Sequence, residues 1–206
     1  LIQGDRLLRQ VSEWTEERGF GDLRLPLAVI AVNANSGQRV VFGTQEARNN
    51  VARAVPHCLS SPDEVSVAQA VRASIAIPLV FEPYRLGDSL LVDGAILDNV
   101  PADACRALGA DVVVAVELGY AGQQHEAIDN AVALGIQVFD TMGAEITRLK
   151  LKQSADLVIN PEIYDVSLTD FAQLPMVLEK GYTAGRKAVT AVRSLLNSWI
   201  DESLRR

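Results

Sequence analysis

Cysteine and histidine are scarce in this chain of 206 residues, which contains two of each. Cys58 and Cys105 lie far apart, with neither C-x-x-C spacing nor a histidine at zinc-ligand spacing, so the common zinc and redox motifs are excluded. Two unpaired thiols are typical of a reducing compartment, and we therefore expect a cytoplasmic protein. His57 and His125 stand in polar segments and are expected to be exposed loop residues, which disfavours a Ser-His-Asp triad.

Long apolar runs and clusters of positive charge are also missing. No uninterrupted apolar run approaches the roughly 18 residues that a membrane span requires. The chain has 19 Lys and Arg against 26 Asp and Glu, a net charge of −7, without a basic cluster, so we expect no nucleic-acid partner. Contact with a membrane would then depend on apolar surface residues, as in a membrane-peripheral protein. Neither a P-loop nor G-x-G-x-x-G occurs, and no cofactor or metal is expected.

The remaining composition is that of a soluble globular domain, with 49% hydrophobic and 22% charged residues. A chain of this length can bury a substantial core without disulfides. We see no repeat or low-complexity linker and therefore expect residues 1–206 to form a single domain. Because the sequence opens at Leu1 without an initiator methionine, we also expect it to be a piece of a longer protein.

The hydrophobic pattern alternates between strands and helices. A continuous β-rich run at 25–32, the turn Asn35-Ser36-Gly37 and the strand 39–42 predict a β-hairpin. The strand-helix-strand pattern leading to the valines of 111–118 predicts an α/β fold with a mainly parallel sheet covered by helices. Predicted helices cover 4–18, 46–54, 67–74 with Ser66 as its cap, 102–108, 126–151 and a terminal segment from Pro175 past Trp199, and further short strands cover 80–86, 89–92 and 156–159.

Among the residues that could perform chemistry, one aspartate stands out. Asp93 ends a predicted strand, where α/β sheets place their functional loops, and Gly94 allows a tight turn behind it. By position alone, Asp93 is either a turn residue that bonds nearby amides or a functional carboxylate. Ser89 is expected to be an ordinary strand residue, since the elbow G-x-S-x-G does not occur. For Asp98, Asp103 and Asp111, which flank helices or begin a strand, we expect structural roles.

A resemblance extends this interpretation. The blocks Ala73–Pro78, Val80–Pro83, Leu91–Ala95, Asp98–Pro101 and Ala107–Val116 resemble, in order and spacing, the patatin-like phospholipase family. Looser similarity to bacterial members lies in Gly4-Asp5, the hairpin and the segment from Asp156 to Pro161.

The resemblance implies a three-layer α/β/α fold and a serine acyl-ester hydrolase, acting on phospholipids, lysophospholipids or simpler esters in lipid metabolism. It implies a Ser-Asp dyad in which the aspartate of a D-G-A/G motif, here Asp93-Gly94-Ala95, accepts the proton of a serine in G-x-S-x-G. The serine and a Gly-rich oxyanion loop are absent here and are expected before Leu1. We therefore expect an N-terminally incomplete sheet, covered by the missing half or another chain, and no esterase activity from residues 1–206 alone.

Two alternatives remain at this point. The chain could be a binding or regulatory module that kept the scaffold and lost the serine, since fold does not determine function. It could also be an unrelated α/β domain in which Asp93 only stabilises a turn.

Overall fold

The computed structural model of the chain describes residues 1–119, 128, 130–163, 166 and 171–205. These residues divide into two compact units, Leu1–Gly109 and Ala110–Arg206, which are treated one at a time below. The expectation that residues 1–206 form a single patatin-like domain stays a prediction.

The first unit is built on a sheet of five strands in the order β3-β2-β1-β5-β4. The strands are β1 (Val29–Asn33), β2 (Gln38–Phe42), β3 (Cys58–Ser60), β4 (Tyr84–Leu86) and β5 (Ser89–Asp93). The helices are α1 (Asp5–Trp14), α2 (Gln45–Ala54), α3 (Val67–Ser74), α4 (Ala95–Asp98) and α5 (Ala102–Ala107), with a 3-10 turn at Phe20–Asp22.

The α/β class is confirmed, but this sheet is mixed and not mainly parallel. Strand β1 pairs antiparallel with β2 and with β5, and β4 pairs antiparallel with β5, whereas β2 and β3 are parallel. The reason is connection length: the turns between β1 and β2 and between β4 and β5 are too short for the crossover that parallel strands need. The β2–β3 connection contains α2 and therefore permits parallel pairing.

Helices cover both faces of this sheet, which gives the first unit the three predicted layers. One face packs Ala31, Val40, Phe42 and Leu91 against apolar residues of α3, such as Ala70. The other face packs mainly against α2 and α5, through the buried residues Ile30, Val41, Val51, Val55, Cys58 and Ala104. Neighbouring residues of β1 and β2 point to opposite faces, as the alternation of a strand requires. The end of β5 that carries Asp93 is therefore anchored in a packed core.

Local sequence signals account for two elements at their predicted positions. The hairpin turn is closed by the Gly37 amide, which donates to the Asn33 carbonyl at 2.8 Å, and Gly37 adopts a φ of 68°. Such a positive φ suits glycine. Helix α3 begins with a capping box in which the Ser66 hydroxyl accepts from the Gln69 amide and the Gln69 side chain accepts from the Ser66 amide.

The second unit contains two parallel strands, β6 (Val114–Val116) and β7 (Leu157–Ile159), and two long helices, α6 (Ala131–Ser154) and α7 (Leu174–Ser203). The parallel pairing predicted around the valine run is confirmed here. In the described parts of the chain, no helix is long and apolar enough to cross a membrane.

The burial predicted for α7 is wrong. Helical spacing of apolar residues in the terminal segment predicts that it buries Val177, Leu178, Tyr182, Val189, Val192 and Leu196, but no residue of α7 is buried. Small residues, Ala184 and Ala188, lie beside the β7 segment, while larger side chains such as Leu178 and Tyr182 are mostly exposed. Helical periodicity identified an apolar face but could not show whether anything covers it.

Candidate active site around Asp93

Asp93 is the last residue of β5 and lies opposite Ala31 of the neighbouring strand β1. The preceding residues Leu91 and Val92 are buried, so the strand end is firmly anchored. The Asp93 amide donates to the carbonyl of Ala76, just after α3, at 3.1 Å. The backbone that carries this carboxylate is therefore fixed by β1 on one side and by the end of α3 on another.

The Asp93 carboxyl is half-buried and accepts a hydrogen bond from the Ala95 amide at Oδ1, at a distance of 2.8 Å. Burial raises the pKa of Asp93 above its ordinary value, and the hydrogen bond from Ala95 opposes this only in part. Among the described residues, no cationic side chain pairs with this carboxylate. Since a carboxylate with a raised pKa is a stronger base, Asp93 has the properties of a proton acceptor.

Gly94 is required by a close backbone approach. A Cβ at this position would be 3.0 Å from the carbonyl carbon of Ile30 and would overlap its oxygen. The φ of Gly94 is −61°, so this glycine is not needed for a left-handed conformation. A tight turn follows Asp93 as the sequence indicates, but the close approach of Ile30 is the reason for the glycine. The Ile30 carbonyl also accepts from the Ser74 hydroxyl at 2.7 Å. Absence of a side chain at Gly94 thus allows β1 to lie directly against the start of α4.

Ala95 begins α4, a single short turn that the sequence analysis did not predict. Its amide is the one that bonds Asp93, and α4 closes through amides of Leu97 and Asp98 that donate to the Gly94 carbonyl. The motif Asp93-Gly94-Ala95 is therefore a strand end followed at once by a helical turn that orients the carboxylate.

Asp98, the last residue of α4, forms a buried ion pair with Arg39 of β2. The side chains of Arg39 and Asp98 are 7% and 1% exposed. Arg39 also donates to Asp103 of α5 at 3.0 Å and to the Pro56 carbonyl at 2.9 Å. Burial by itself would lower the pKa of Arg39, but its hydrogen bonds to Asp103 and Asp98 and their charges raise it overall.

Sequence reasoning missed Arg39, although a signal was present. It is the one charged residue in the strand Gln38–Phe42, and alternation places it on the same face as buried Val41. A buried charge requires a partner, so Asp98 and Asp103 could have been considered as ion-pair partners of Arg39. The structural roles expected for these two aspartates agree with their positions in this cluster.

The other candidates lie outside the arrangement around Asp93. Ser89 begins β5, where its hydroxyl accepts from the side-chain amide of Asn33 at 3.2 Å. His57 is exposed next to β3, Cys105 is exposed on α5, and Asp111 is exposed before β6. His125 lies outside the described residues. Within the described ranges no cluster of three or more His, Cys, Asp or Glu could hold a metal ion.

A cavity of about 480 Å³ lies in the second unit between β7 and α7. Its polar lining residues are Asn160, Glu162, Glu179, Lys180, Thr183 and Lys187. None of the residues that orient Asp93 lines this cavity. We therefore do not take the cavity as the candidate active site.

Known proteins match this chain over much of its length. The family model described as patatin-like phospholipase matches residues 1–106. YqhO of Bacillus subtilis (strain 168) is 28% identical over 183 residues, which cover 83% of this chain and 60% of that protein. The NTE family protein Rv2565 of Mycobacterium tuberculosis (strain ATCC 25618 / H37Rv) is 29% identical over 155 residues, or 64% of this chain and 26% of that protein. The lysophospholipase NTE1 of Debaryomyces hansenii is 21% identical over 209 residues, covering 85% of this chain and 13% of its own length.

The chain thus spans between 13% and 60% of the length of these relatives. The family match extends over more than half of the chain and includes the whole arrangement from Arg39 to Asp103. The chain therefore belongs to the patatin-like phospholipase family.

Proposed function

We propose that this chain supplies the base, Asp93, of a serine acyl-ester hydrolase that acts on phospholipids, lysophospholipids or simpler carboxylic esters. The observation that carries the proposal is the half-buried carboxylate of Asp93, held by a single backbone amide and with its pKa raised by burial. The similarity to the lysophospholipase NTE1 of Debaryomyces hansenii supports the choice of substrate class. The nucleophile belongs to a G-x-S-x-G elbow, which residues 1–206 do not contain.

In the proposed reaction the serine hydroxyl gives its proton to Asp93 while its oxygen bonds to the acyl carbon. Electrons of the carbonyl double bond move to its oxygen, which backbone amides of a Gly-rich loop stabilise. The intermediate collapses, the ester C–O bond breaks, and the leaving alcohol takes the proton from Asp93. A water molecule, deprotonated by the same carboxylate, then releases the acid and restores the serine. One carboxylate thus serves as base and acid in turn.

The position of Asp93 suits this exchange of a proton. An aspartate paired with a cation would be held in its charged form and would be a poor base. Asp93 receives one neutral amide donor at Oδ1, which orients the carboxyl group without neutralising its charge. The buried Arg39–Asp98 pair lies one short helix away and ties α4 to β2. In this proposal Arg39 is a positioning residue and Asp93 is the catalytic residue.

The proposal is tested first by reading the coding sequence upstream of Leu1, where we expect a Gly-rich loop and G-x-S-x-G. The protein that includes this segment should hydrolyse p-nitrophenyl acyl esters and lysophosphatidylcholine, and the chain Leu1–Arg206 alone should not. Replacing Asp93 by Ala should lower turnover at least about 100-fold. Asp88→Ala, which removes an exposed turn aspartate five residues away, is the matched control.

Two outcomes would overturn the proposal. Turnover that persists in Asp93→Ala would show that another group is the base. An upstream sequence with no serine elbow, together with no turnover of any ester, would instead favour a binding or regulatory module on the same scaffold.

A further inference from the structure

Helix α7 exposes a continuous apolar band along its length. Its members follow one another at intervals of four and seven residues, which places them on one side of the helix. They are between 42% and 68% exposed. We call this band the α7 stripe; it consists of Leu174, Leu178, Tyr182, Val189, Leu196 and Ile200.

The charges of α7 differ from those of the chain as a whole. The chain has a net charge of −7, whereas α7 contains four basic residues against three acidic ones, and its acidic residues, Glu179, Asp201 and Glu202, lie outside the segment from Lys180 to Ile200. Arg186 and Arg193 each follow a stripe residue by four positions and so lie beside the stripe. The Arg186 guanidinium lies 5.9 Å from the centre of the Tyr182 ring and donates to its hydroxyl at 3.4 Å.

We propose that α7 is an interfacial helix that binds the surface of anionic lipid membranes through the α7 stripe. An apolar face bordered by arginine, with tyrosine among its members, is the composition of helices that lie in the plane of a bilayer. The apolar side chains enter the boundary with the acyl chains, and the guanidinium groups reach lipid phosphates. Trp199, 39% exposed near the end of the stripe, adds a second amphipathic ring at the same depth.

Arg186 and Arg193 also argue against a second copy of this chain as the occupant of the stripe. Pairing two α7 stripes would bring Arg186 and Arg193 of both copies to one seam. The acidic residues of α7, Glu179, Asp201 and Glu202, lie toward its ends, so the like charges of Arg186 and Arg193 would face one another in the middle of the seam and oppose the association. A surface of lipid phosphates supplies the missing negative charge.

This inference rests on α7 alone and does not require Asp93 to be a base. It also differs from the expectation drawn from composition, in which the charge of the chain gives no help at a membrane. The net charge conceals a local positive segment because the excess of acidic residues lies elsewhere in the sequence.

The test is binding of the chain Leu1–Arg206 to vesicles, measured by flotation. Vesicles of equal parts phosphatidylserine and phosphatidylcholine should retain the chain, and pure phosphatidylcholine should retain far less. Arg186→Glu/Arg193→Glu should weaken binding at least about 30-fold, since each basic residue near an anionic surface contributes about a fivefold increase in affinity. Leu178→Gln should weaken it about tenfold through lost apolar burial.

Matched variants control for net charge and for hydrophobicity. Arg9→Glu/Arg24→Glu makes the same change in charge at exposed positions of the first unit, and Leu25→Gln removes an equally exposed leucine there. Both should bind vesicles as the parent chain does. Far-UV circular dichroism should be the same for all of these surface variants, which separates loss of binding from loss of folding.

The inference is overturned if the parent chain does not bind the anionic vesicles, or if the control variants lose as much binding as the α7 variants. Retention on poly-glutamate beads without retention on vesicles would assign the stripe to an acidic protein partner. A stable dimer in sedimentation that Leu178→Gln converts to monomer would assign it to a second copy of the chain.

Discussion

The buried pair of Arg39 and Asp98 provides the sharpest test of how the fold holds the candidate site. Arg39→Met keeps an unbranched side chain of similar length but removes the guanidinium. Asp98, whose side chain is 1% exposed, then loses its cationic partner, and the donors to Asp103 and the Pro56 carbonyl disappear with it. Removing one member of a buried pair costs about 3–5 kcal/mol, because the remaining charge stays buried and has lost its cation.

The loss can be measured by urea denaturation of the chain, followed by far-UV circular dichroism. With a dependence of about 1–3 kcal/mol per molar urea, the midpoint should fall by roughly 2 M. The second variant is Arg39→Met/Asp98→Leu, which removes both charges and leaves an apolar contact. It should recover at least about 2 kcal/mol of the loss, since a buried ion pair and well-packed apolar residues have comparable stability.

Two results would refute this reasoning. A loss below about 1 kcal/mol in Arg39→Met would mean that the pair contributes no more than an exposed ion pair. A double variant no more stable than the single one would mean that Arg39 stabilises the fold by packing and not by compensating the charge of Asp98. The exposed pair of Arg148 and Glu145 on α6 is the internal control, and Arg148→Met should shift the urea midpoint far less than Arg39→Met does.

Further predictions concern the Asp93-Gly94 motif and the cap of α3. Gly94→Ala should destabilise the chain by about 2–4 kcal/mol, because the added Cβ overlaps the Ile30 carbonyl, whereas Gly21→Ala, with open space around it, should be neutral within about 0.5 kcal/mol in the same denaturation assay. Asp93→Asn should make the fold more stable at neutral pH. In the parent chain the pKa of Asp93 is raised, which means that the folded state binds the proton more tightly than the unfolded state. The stability of the parent chain therefore falls as pH rises from the pKa of Asp93 in the unfolded state through its pKa in the folded state. The advantage of Asp93→Asn should therefore vanish in acid, and a variant less stable than the parent at neutral pH would contradict the assignment of burial as the cause. Ser66→Ala should lower the midpoint by the equivalent of about 1 kcal/mol through loss of the α3 cap, with Ser12→Ala as a control, since Ser12 is half-buried within α1 and is not a cap residue.

Sequence patterns predicted the elements whose signals are local. The hairpin depends on the turn that ends at Gly37, and α3 begins at Ser66 because its capping residues adjoin it. Strand β5 ends at Asp93, within one residue of the predicted end at Val92, because the Asp-Gly dipeptide marks the boundary.

The features that were missed depend on contacts between distant parts of the chain. Strand β3 follows Pro56 and carries two exposed residues, and it is a strand only because β2 pairs with it from Arg39 to Val41. The necessity of Gly94 comes from Ile30, which approaches it across the sheet and not along the chain. The exposure of the α7 stripe was likewise invisible, since periodicity reveals an apolar face but not its neighbours.

For the candidate site, the motif gave the position of Asp93 and the structure added its surroundings. A turn aspartate and a catalytic base share the same local signal, a carboxylate followed by glycine at the end of a strand. The proposal that Asp93 is a base depends on its burial without a paired cation among the described residues, and that burial depends on α3, β1 and α4 together. Arg39 was missed because its role depends on contacts between distant residues. This charged strand residue pairs with the carboxylates of Asp98 and Asp103 and so holds the neighbouring helical turn.

The central claim is that Asp93 accepts the proton of the nucleophile, and the pH dependence of kcat/KM tests it most directly. In the protein that carries the serine, kcat/KM should fall as pH drops through the pKa of Asp93, at a pH above the ordinary range of aspartate because burial raises that pKa. Asp93→Asn should remove the activity, and Asp88→Asn should leave both the rate and the acid limb unchanged. An acid limb that persists with substantial turnover in Asp93→Asn would contradict the account.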